Sequence, residues 1–156
     1  MTLKLVSIGK AHEAYVKNGI DDFTKRIAHY YPVEWHIIPV PKNAGGMPGI
    51  LLKKKEGEVF IQWLGKNDYL VALDERGALL KSEGVAELIQ QRSNNTRHLV
   101  FLIGGAFGLD EAVLKRANFT WSLSLLVFPH QLVRLILAEQ LYRACTILRH
   151  EKYHHS

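Results

Sequence analysis

The chain has 156 residues, of which 47% are hydrophobic and 22% charged, and its formal net charge is +5. These proportions are ordinary for a globular domain, and the lack of repeats and biased segments in the sequence excludes a solenoid or a disordered chain. The length predicts a single domain over residues 1–156. The modest positive charge leans toward a polyanionic partner such as nucleic acid.

The first half of the sequence predicts two strands, two helices and one long loop. Residues 3–8 alternate in hydrophobicity and end at Gly9, which indicates a strand. The elements that follow are a helix over residues 12–30 that Pro32 ends, a strand over 35–40, a Pro- and Gly-rich loop over 39–49 and a helix over 50–64. We expect this loop to be mobile and able to act as a lid.

The second half predicts three more strands, each followed by a helical segment. Residues 68–74 have the pattern of a buried strand, which Glu75, Arg76 and Gly77 are expected to turn. The remaining elements are a helix that Ser82 caps and that runs to residue 91, a strand over 98–103, a short helix that Asp110 caps, a strand over 118–123 and a long final helix with Pro129 in its first turn.

Strands and helices thus alternate along the whole chain. This order predicts an α/β fold with a mostly parallel, five-stranded sheet and helices on both faces. In such sheets ligands bind outside the carboxyl ends of the strands. Residues 73–74, 104–105 and 123–124 stand at three of those ends, so we expect them to converge on one edge.

The final helix is apolar nearly all round. Its hydrophobic residues leave no wide polar face on a helical wheel: Leu132, Val133, Leu135, Ile136, Leu137, Leu141, Ile147 and Leu148. One small domain covers only part of such a helix. We therefore expect a second copy of the chain to cover the rest, in a homodimer with twofold symmetry.

Features that report on cellular location point to the cytoplasm. Cys145 has no partner for a disulfide and lies in an apolar helical stretch, which predicts a buried, reduced thiol. The first residues lack the layout of a signal peptide, and the longest apolar run, at residues 123–128, is too short to cross a bilayer.

The segment Gly104-Gly105-Ala106-Phe107-Gly108 follows a predicted strand directly. Glycines at this place let the backbone approach a ligand closely. The spacing differs from the Gly-x-Gly-x-x-Gly of a dinucleotide-binding turn, and the segment lacks the Lys-Ser/Thr end of a P-loop. A ligand-binding loop and a tight structural turn are both compatible with it.

Residues 123–128 form a second candidate loop. The run is apolar, but Ser124 interrupts it and Pro129 ends it. One interpretation is a buried strand end. The other is a loop whose backbone groups bind an adenine edge while apolar side chains pack against the ring.

Several motifs together resemble the RlmH family, whose members are 23S ribosomal RNA pseudouridine N3-methyltransferases of the SPOUT class. The resemblance covers the whole chain and is most specific after residue 99. Its motifs are Leu73-Asp74-Glu75-x-Gly77, Ile103-Gly104-Gly105-x-x-Gly108, Phe128-Pro129-His130-Gln131-Leu132-Val133-Arg134, Glu139-Gln140-Leu141-Tyr142-Arg143-Ala144 and the terminal Tyr153-His154.

The resemblance implies a SPOUT-type fold with a C-terminal trefoil knot, a homodimer, and S-adenosylmethionine (SAM) as methyl donor. It also implies cofactor contacts at Leu73, Gly104 and the run Leu123, Ser124, Leu125, Leu126, Val127 and Phe128, to which we add Gly105 and Gly108 of the glycine segment. No metal is expected, because His150 and His154 have helical ligand spacing but no third ligand.

Three residues near the C-terminus are the candidate catalytic groups. The N3–H of pseudouridine is weakly acidic and must lose its proton before the nitrogen attacks a methyl group. His154 is the best candidate base because its ordinary pKa lies near neutral pH. We expect Tyr153 to stack on or hydrogen-bond the base, and Arg143 to stabilise negative charge at a carbonyl oxygen.

Simpler interpretations of these residues stay open at this stage. Arg143 and Glu139 are four residues apart and can form an ordinary helical ion pair, and the terminal pair can be a frayed end. His130 has the position of a structural residue at a helix start. His155 stands where the family usually has Lys or Arg, so it could bind phosphate only when protonated.

The expected substrate is RNA within the assembled ribosome, because the small domain has no separate RNA-binding module. Candidate contacts are Arg143, Lys152, His154 and some of Lys53, Lys54, Lys55, Arg97 and Arg134. The alternatives are a SPOUT enzyme acting on tRNA or another rRNA site, a non-catalytic ribosome-associated RNA-binding protein, and a nicotinamide oxidoreductase, against which the glycine spacing argues.

Overall fold

A computed structural model describes residues 1–155. Its strands are β1 (Thr2–Ile8), β2 (Val33–Ile38), β3 (Tyr69–Leu79), β4 (His98–Ile103) and β5 (Phe119–Ser122). Its α-helices are α1 (Ala14–Ile27), α2 (Gly49–Trp63), α3 (Ser82–Ser93), α4 (Glu111–Arg116) and α5 (His130–Leu148), and a single 3₁₀ turn, Ala44–Gly46, lies in the predicted loop before α2. The predicted alternation of strands and helices is confirmed.

The five strands form one sheet in the order β2-β1-β4-β3-β5, and every pairing is parallel. Strand β4 lies at the centre, and its residues Leu99 to Ile103 are all buried. Continuous burial explains why these residues are apolar without alternation, since both faces of a parallel sheet are covered. The predicted α/β fold with a parallel sheet is confirmed.

Helices cover both faces of the sheet. One face packs against α1, α3 and α5 through a core that includes Leu5, Phe101 and Leu137. The opposite face packs against α2 and α4 through a second core that includes Phe60 and Val100. Helix α5 packs against both α1 and α3 as well as against the sheet.

Strand β3 is longer than predicted. Instead of turning at Glu75, the chain passes through an irregular segment after Leu73 and pairs again with β5, where Ala78 lies opposite Trp121. Gly77 makes this possible, because a Cβ at that position would lie 2.5 Å from the backbone of Thr120. The predicted turn is therefore a bulge within a strand.

The two predicted helix caps have different outcomes. The Asp110 carboxylate accepts a hydrogen bond from the Ala112 amide at 3.2 Å, which confirms the cap of α4. The prediction for Ser82 is wrong: this residue is the first of α3, and its hydroxyl donates to Gln140 on α5 at 2.7 Å instead. The Ser82 hydroxyl therefore bonds to a side chain of another helix instead of capping its own.

Helix α5 is largely enclosed even in the single chain. None of its residues is exposed, although apolar residues such as Leu132 and Ile136 are only half-buried. Cys145 is a free, buried thiol, and burial raises its pKa to about 12, so it stays protonated at neutral pH. Among residues 1–155, no helix is long and apolar enough to cross a bilayer.

Candidate functional site

The carboxyl ends of three adjacent strands surround a pocket of about 680 Å³. The register places Leu73 of β3 opposite Ile103 of β4 on one side and Trp121 of β5 on the other. The segments that follow these positions therefore meet at one edge of the sheet, as the sequence predicted. Of the ten candidate cofactor-binding residues, all but Leu125 line this pocket.

The segment after β4 forms a tight turn, in which the Gly108 amide donates to the Gly105 carbonyl at 3.1 Å. Gly108 has a φ of 83°, which favours glycine. A Cβ on Gly104 would lie 2.8 Å from the Leu109 side chain and 2.9 Å from the Gly108 carbonyl. The glycines thus bring bare backbone to the wall of the pocket.

The loop after β5 is held by its serines. The Ser122 hydroxyl donates to the Ser124 carbonyl at 3.1 Å, and the Ser124 hydroxyl accepts from the Leu126 amide at 3.0 Å. With its backbone fixed in this way, the loop exposes Leu125, Leu126 and Val127 to 86%, 71% and 91%. Large apolar side chains this exposed indicate a surface that a ligand or another chain covers.

His130 connects the glycine turn to helix α5. Its Nε2 atom makes a short hydrogen bond with the Gly104 carbonyl. Burial lowers the pKa of His130, and this effect outweighs the opposing effect of the hydrogen bond. The ring is therefore neutral at pH 7 and donates from Nε2 to the carbonyl. The predicted structural role of His130 agrees with this contact, although the residue also lines the pocket.

One wall of the pocket carries a fixed negative charge. Burial alone would raise the pKa of Asp74, but hydrogen bonds from Arg76 outweigh it and lower the pKa. The Arg76 guanidinium binds Asp74 at 2.8 and 3.1 Å and Glu111 at 2.9 Å. Lys53 of α2 also lines the pocket and lowers the pKa of Asp74 further.

A buried carboxyl group, Glu56, lies directly behind the glycine turn. The residue is only 2% exposed, and neither of its oxygens has a hydrogen-bond partner among the described residues. Burial raises the pKa of Glu56. Glu56 was not predicted as a site residue, because the preceding Lys53-Lys54-Lys55 run is typical of a solvated helix face. The one sequence signal for its burial is the four-residue helical spacing from Leu52 to Phe60.

The candidate catalytic residues form a second cluster, where the C-terminal tail folds back on α5. Arg143 binds Glu139 through Nε at 3.0 Å and Nη2 at 2.6 Å, so the simpler prediction of a helical ion pair is confirmed. The Tyr153 hydroxyl donates to the same carboxylate at 3.0 Å, and the Arg143 guanidinium lies over the Tyr153 ring. The terminal residues are therefore packed rather than frayed.

His154 completes the cluster through its two ring nitrogens. Arg143 donates from Nη1 to His154 Nδ1 at 3.2 Å, so the proton of a neutral ring is on Nε2. That Nε2 atom is 3.2 Å from the Glu83 carboxylate, within ion-pair distance but without hydrogen-bond geometry. Neither nitrogen is free to accept a proton in this arrangement, so a catalytic base at His154 requires the tail to open.

The tail cluster and the pocket are far apart within one chain. His130 and Val133 of α5 line the pocket, whereas Arg143 lies further along the same helix. At 1.5 Å per residue Arg143 is about 15 Å from Val133 and about 20 Å from His130 along the axis. Among residues 1–155, the three candidate catalytic side chains are absent from the pocket lining.

Two of the predicted RNA-contacting residues are placed differently from the expectation. Arg134, one of the residues from which some RNA contacts were expected, is fully buried, so its side chain does not lie on the surface. Lys53 lies in the pocket wall, while Lys54, Lys55, Arg97 and Lys152 are exposed. Within the described part of the chain, no three or more His, Cys, Asp or Glu residues form a group that could hold a metal ion.

Comparison with known proteins identifies close relatives over the full length. Residues 1–154 match the family described as "Predicted SPOUT methyltransferase". A protein of Cytophaga hutchinsonii named ribosomal RNA large subunit methyltransferase H is 46% identical over 156 residues, covering 99% of this chain and 100% of the relative. A protein of the same name from Flavobacterium johnsoniae is 44% identical, covering 99% of each chain.

Solved structures share the fold at low sequence identity. A probable methyltransferase from Bordetella pertussis Tohama I superposes with a TM-score of 0.57 at 13% identity, covering 92% of this chain and 93% of the other. This likeness concerns the arrangement of strands and helices alone.

Proposed function

Because the chain belongs to the SPOUT methyltransferase family, we propose that it transfers a methyl group from SAM to N3 of a pseudouridine in 23S ribosomal RNA. The observation that carries the proposal is full-length identity of 46% and 44% to proteins named ribosomal RNA large subunit methyltransferase H. The pocket at the carboxyl ends of β4, β3 and β5 is the candidate cofactor site.

The residues of the pocket fit SAM. The glycine turn and residues 123–128 form the pocket wall and let an adenine ring and a ribose approach the backbone closely. The side chains of Leu126, Val127 and Phe128 offer apolar contact for the ring. SAM, when bound, supplies an electrophilic methyl group on a sulfonium.

We further propose that the active enzyme is a homodimer in which the tail of one protomer completes the pocket of its partner. Two observations support this arrangement. The pocket and the tail cluster are about 15 to 20 Å apart along α5, and that helix carries half-buried apolar residues. A twofold axis presents each protomer's tail to the other's pocket in the same way.

In the proposed reaction, the tail residues handle the proton of pseudouridine N3. His154 takes this proton after the tail has opened and Nδ1 has left Arg143. Once Arg143 Nη1 no longer donates to His154, the guanidinium stabilises the negative charge that develops on a carbonyl oxygen of the pseudouridine. Tyr153 orients the base. Burial and its hydrogen bond to Glu139 raise the pKa of Tyr153, so its hydroxyl stays protonated and donates.

Transfer of a radiolabelled methyl group tests this proposal. Purified protein and labelled SAM are incubated in parallel with assembled ribosomes, deproteinised 23S RNA and tRNA, all from cells lacking the gene. We expect label in the 23S RNA of the ribosomes. Label in tRNA would agree with a SPOUT methyltransferase but contradict 23S RNA as its substrate. SAM binding without methyl transfer in any of the three samples would favour a non-catalytic RNA-binding protein.

A further inference from the structure

Arg134 is the most deeply buried charged residue of the molecule, with an exposure of 0%. Its Nε and Nη2 atoms have no hydrogen-bond partner among residues 1–155. Its Nη1 atom is 3.2 Å from Nδ1 of His12. Burial, followed by the charge of Arg134 itself, lowers the pKa of His12, so the imidazole is neutral at pH 7 and accepts this hydrogen bond.

The guanidinium lacks a counter-ion in the described part of the chain. Among residues 1–155, no carboxylate oxygen lies within 4.0 Å of it, and the acid whose charge raises the pKa of Arg134 is Glu13, which is exposed. Arginine stays protonated in proteins. A buried charge is costly unless other groups compensate it, and a nearby anion stabilises it through space even without direct contact.

Arg134 points at the loop between β1 and α1, residues 9–13. Gly9 has a φ of 136°, and a Cβ on it would lie 3.8 Å from Arg134 Nη2. Gln131 fixes this loop from below: its Oε1 accepts from the Glu13 amide at 3.0 Å and its Nε2 donates to the Ala11 carbonyl at 3.3 Å. The loop is therefore held in a defined shape.

More positive potential converges on the same loop. Helix α1 begins at Ala14, its N-cap residue Glu13 makes no side-chain cap, and its first turn contains no acid. The first amides of a helix lack intrahelical acceptors and carry a partial positive charge. Lys10 adds an exposed ammonium at the tip of the loop. A helix amino terminus, a lysine and a buried arginine together form an anion site.

We propose that residues 9–15 bind a phosphate group of the RNA substrate. The amides of Ala14 and Tyr15 donate to the phosphate, Lys10 contacts it from the rim, and the Arg134 charge supports it from behind without touching it. Inorganic phosphate shares this chemistry and serves as the probe. The assignment to RNA depends on the proposed function, whereas the anion site itself does not.

The proposed phosphate site is adjacent to the cofactor pocket. Strand β1 pairs directly with β4, so loop 9–13 lies beside the glycine turn. Two consecutive residues of α5 hold the two loops, since His130 binds the Gly104 carbonyl and Gln131 binds the Ala11 carbonyl. A phosphate on this loop is therefore well placed to belong to a nucleotide next to the methylated one.

Titration with inorganic phosphate tests the site without RNA. Amide resonances of ¹⁵N-labelled protein are followed while sodium phosphate replaces sodium chloride at constant ionic strength. We expect saturable shifts centred on Ala14 and Tyr15.

Three variants test which charges bind the phosphate. Glu13→Gln removes a competing carboxylate and tightens phosphate binding by a factor of about two to five, and Lys10→Gln weakens it by a similar factor. Lys115→Gln, an exposed charge change on the opposite face, leaves it unchanged.

These surface variants keep the test decisive if Arg134→Met fails to fold. Where Arg134→Met does fold, we expect it to abolish the phosphate shifts while SAM binding persists. Shifts spread over the whole surface without a centre at α1, or equal affinities for Glu13→Gln and Lys10→Gln, would overturn the site.

Binding to large ribosomal subunits tests the RNA assignment. Lys10→Gln should reduce the salt dependence of subunit binding, the slope of log K against log salt, by about one, and Lys115→Gln should not. Phosphate shifts at α1 together with an unchanged slope would overturn the RNA assignment even if methyl transfer occurs. Conversely, the absence of methyl transfer with intact phosphate shifts would count against the proposed function alone.

Discussion

The carboxyl group of Glu56 occupies the space in which a side chain at Gly105 would lie. An ideal Cβ on Gly105 would be 2.6 Å from Glu56 Oε2 and 2.8 Å from Oε1, closer than any real Cβ contact. The acid is buried and without a hydrogen-bond partner in the described structure. The glycine turn that lines the candidate cofactor pocket therefore depends on contact between Gly105 and Glu56, and Glu56 itself lies outside the pocket lining.

The first prediction concerns Gly105→Ala. The added methyl group must displace either the buried carboxyl or the turn that lines the pocket, and such overpacking costs about 1–3 kcal/mol. We expect SAM affinity, measured by calorimetry, to fall by about tenfold or more. Adding Glu56→Ala should restore part of the loss. Gly45→Ala is the matched control, since nothing lies within 4 Å of a Cβ there. Wild-type affinity in Gly105→Ala would contradict the pairing.

The second prediction concerns the pH dependence of stability. Burial raises the pKa of Glu56 in the folded state above its ordinary value of 4.5. The folded state then holds the proton more tightly than the unfolded state, so this residue's contribution to stability is present at low pH and is lost as the pH rises through the folded pKa. We expect Glu56→Gln to melt higher than the wild type at pH 8 and to lose this advantage toward pH 4.

Thermal unfolding between pH 4 and pH 8 measures this difference. Glu58→Gln, an exposed neighbour on the same helix, is the control and should follow the wild type throughout. A constant difference between Glu56→Gln and the wild type at all pH values would show that the titration of Glu56 is the same in both states.

The third prediction concerns the tail. His154→Ala should lose most methyl transfer, on the order of 10²–10⁴-fold for a general base, and keep SAM affinity, because the residue is outside the pocket lining. His29→Ala, a change at an exposed histidine just after α1, is the control. Transfer rates and calorimetry on the same preparations make the comparison. Unchanged turnover in His154→Ala would remove this residue from the mechanism.

The fourth prediction concerns the shared active site. At a low SAM concentration, Gly105→Ala alone should keep about a tenth of wild-type activity or less, and His154→Ala alone should be nearly inactive. When the two variants are unfolded and refolded together, mixed dimers acquire one site with an intact pocket and an intact tail. We expect roughly a quarter of wild-type activity, since half of randomly formed dimers are mixed and each has one working site. A mixture no more active than its components would place pocket and tail in the same protomer.

The sequence alone predicted the sheet and the edge at which the pocket lies. Strand β4 was predicted with its observed bounds because a run of five apolar residues, Leu99 to Ile103, ends at a glycine. The Asp110 cap was also found, since its partner is only two residues away. Local patterns of this kind need no knowledge of the rest of the chain.

The errors arose where a distant partner decides the local structure. Ser82 bonds to Gln140 rather than to its own helix, and β3 resumes after its bulge because β5 offers a second pairing. Glu56 and Arg134 are charged residue types that usually lie on the surface, and only tertiary packing buries them here. The trefoil knot follows from the family resemblance and stays a prediction, because threading depends on the path of the whole chain.

The site of methylation is measured by nuclease digestion and mass spectrometry of ribosomes methylated in vitro. Ribosomes from cells lacking the gene are incubated with the protein and SAM, and the modified fragment is sequenced. We expect one added methyl group, located on N3 of a single pseudouridine of 23S RNA, and none with His154→Ala. A methyl group on a ribose, on another base or on several nucleotides would contradict this expectation.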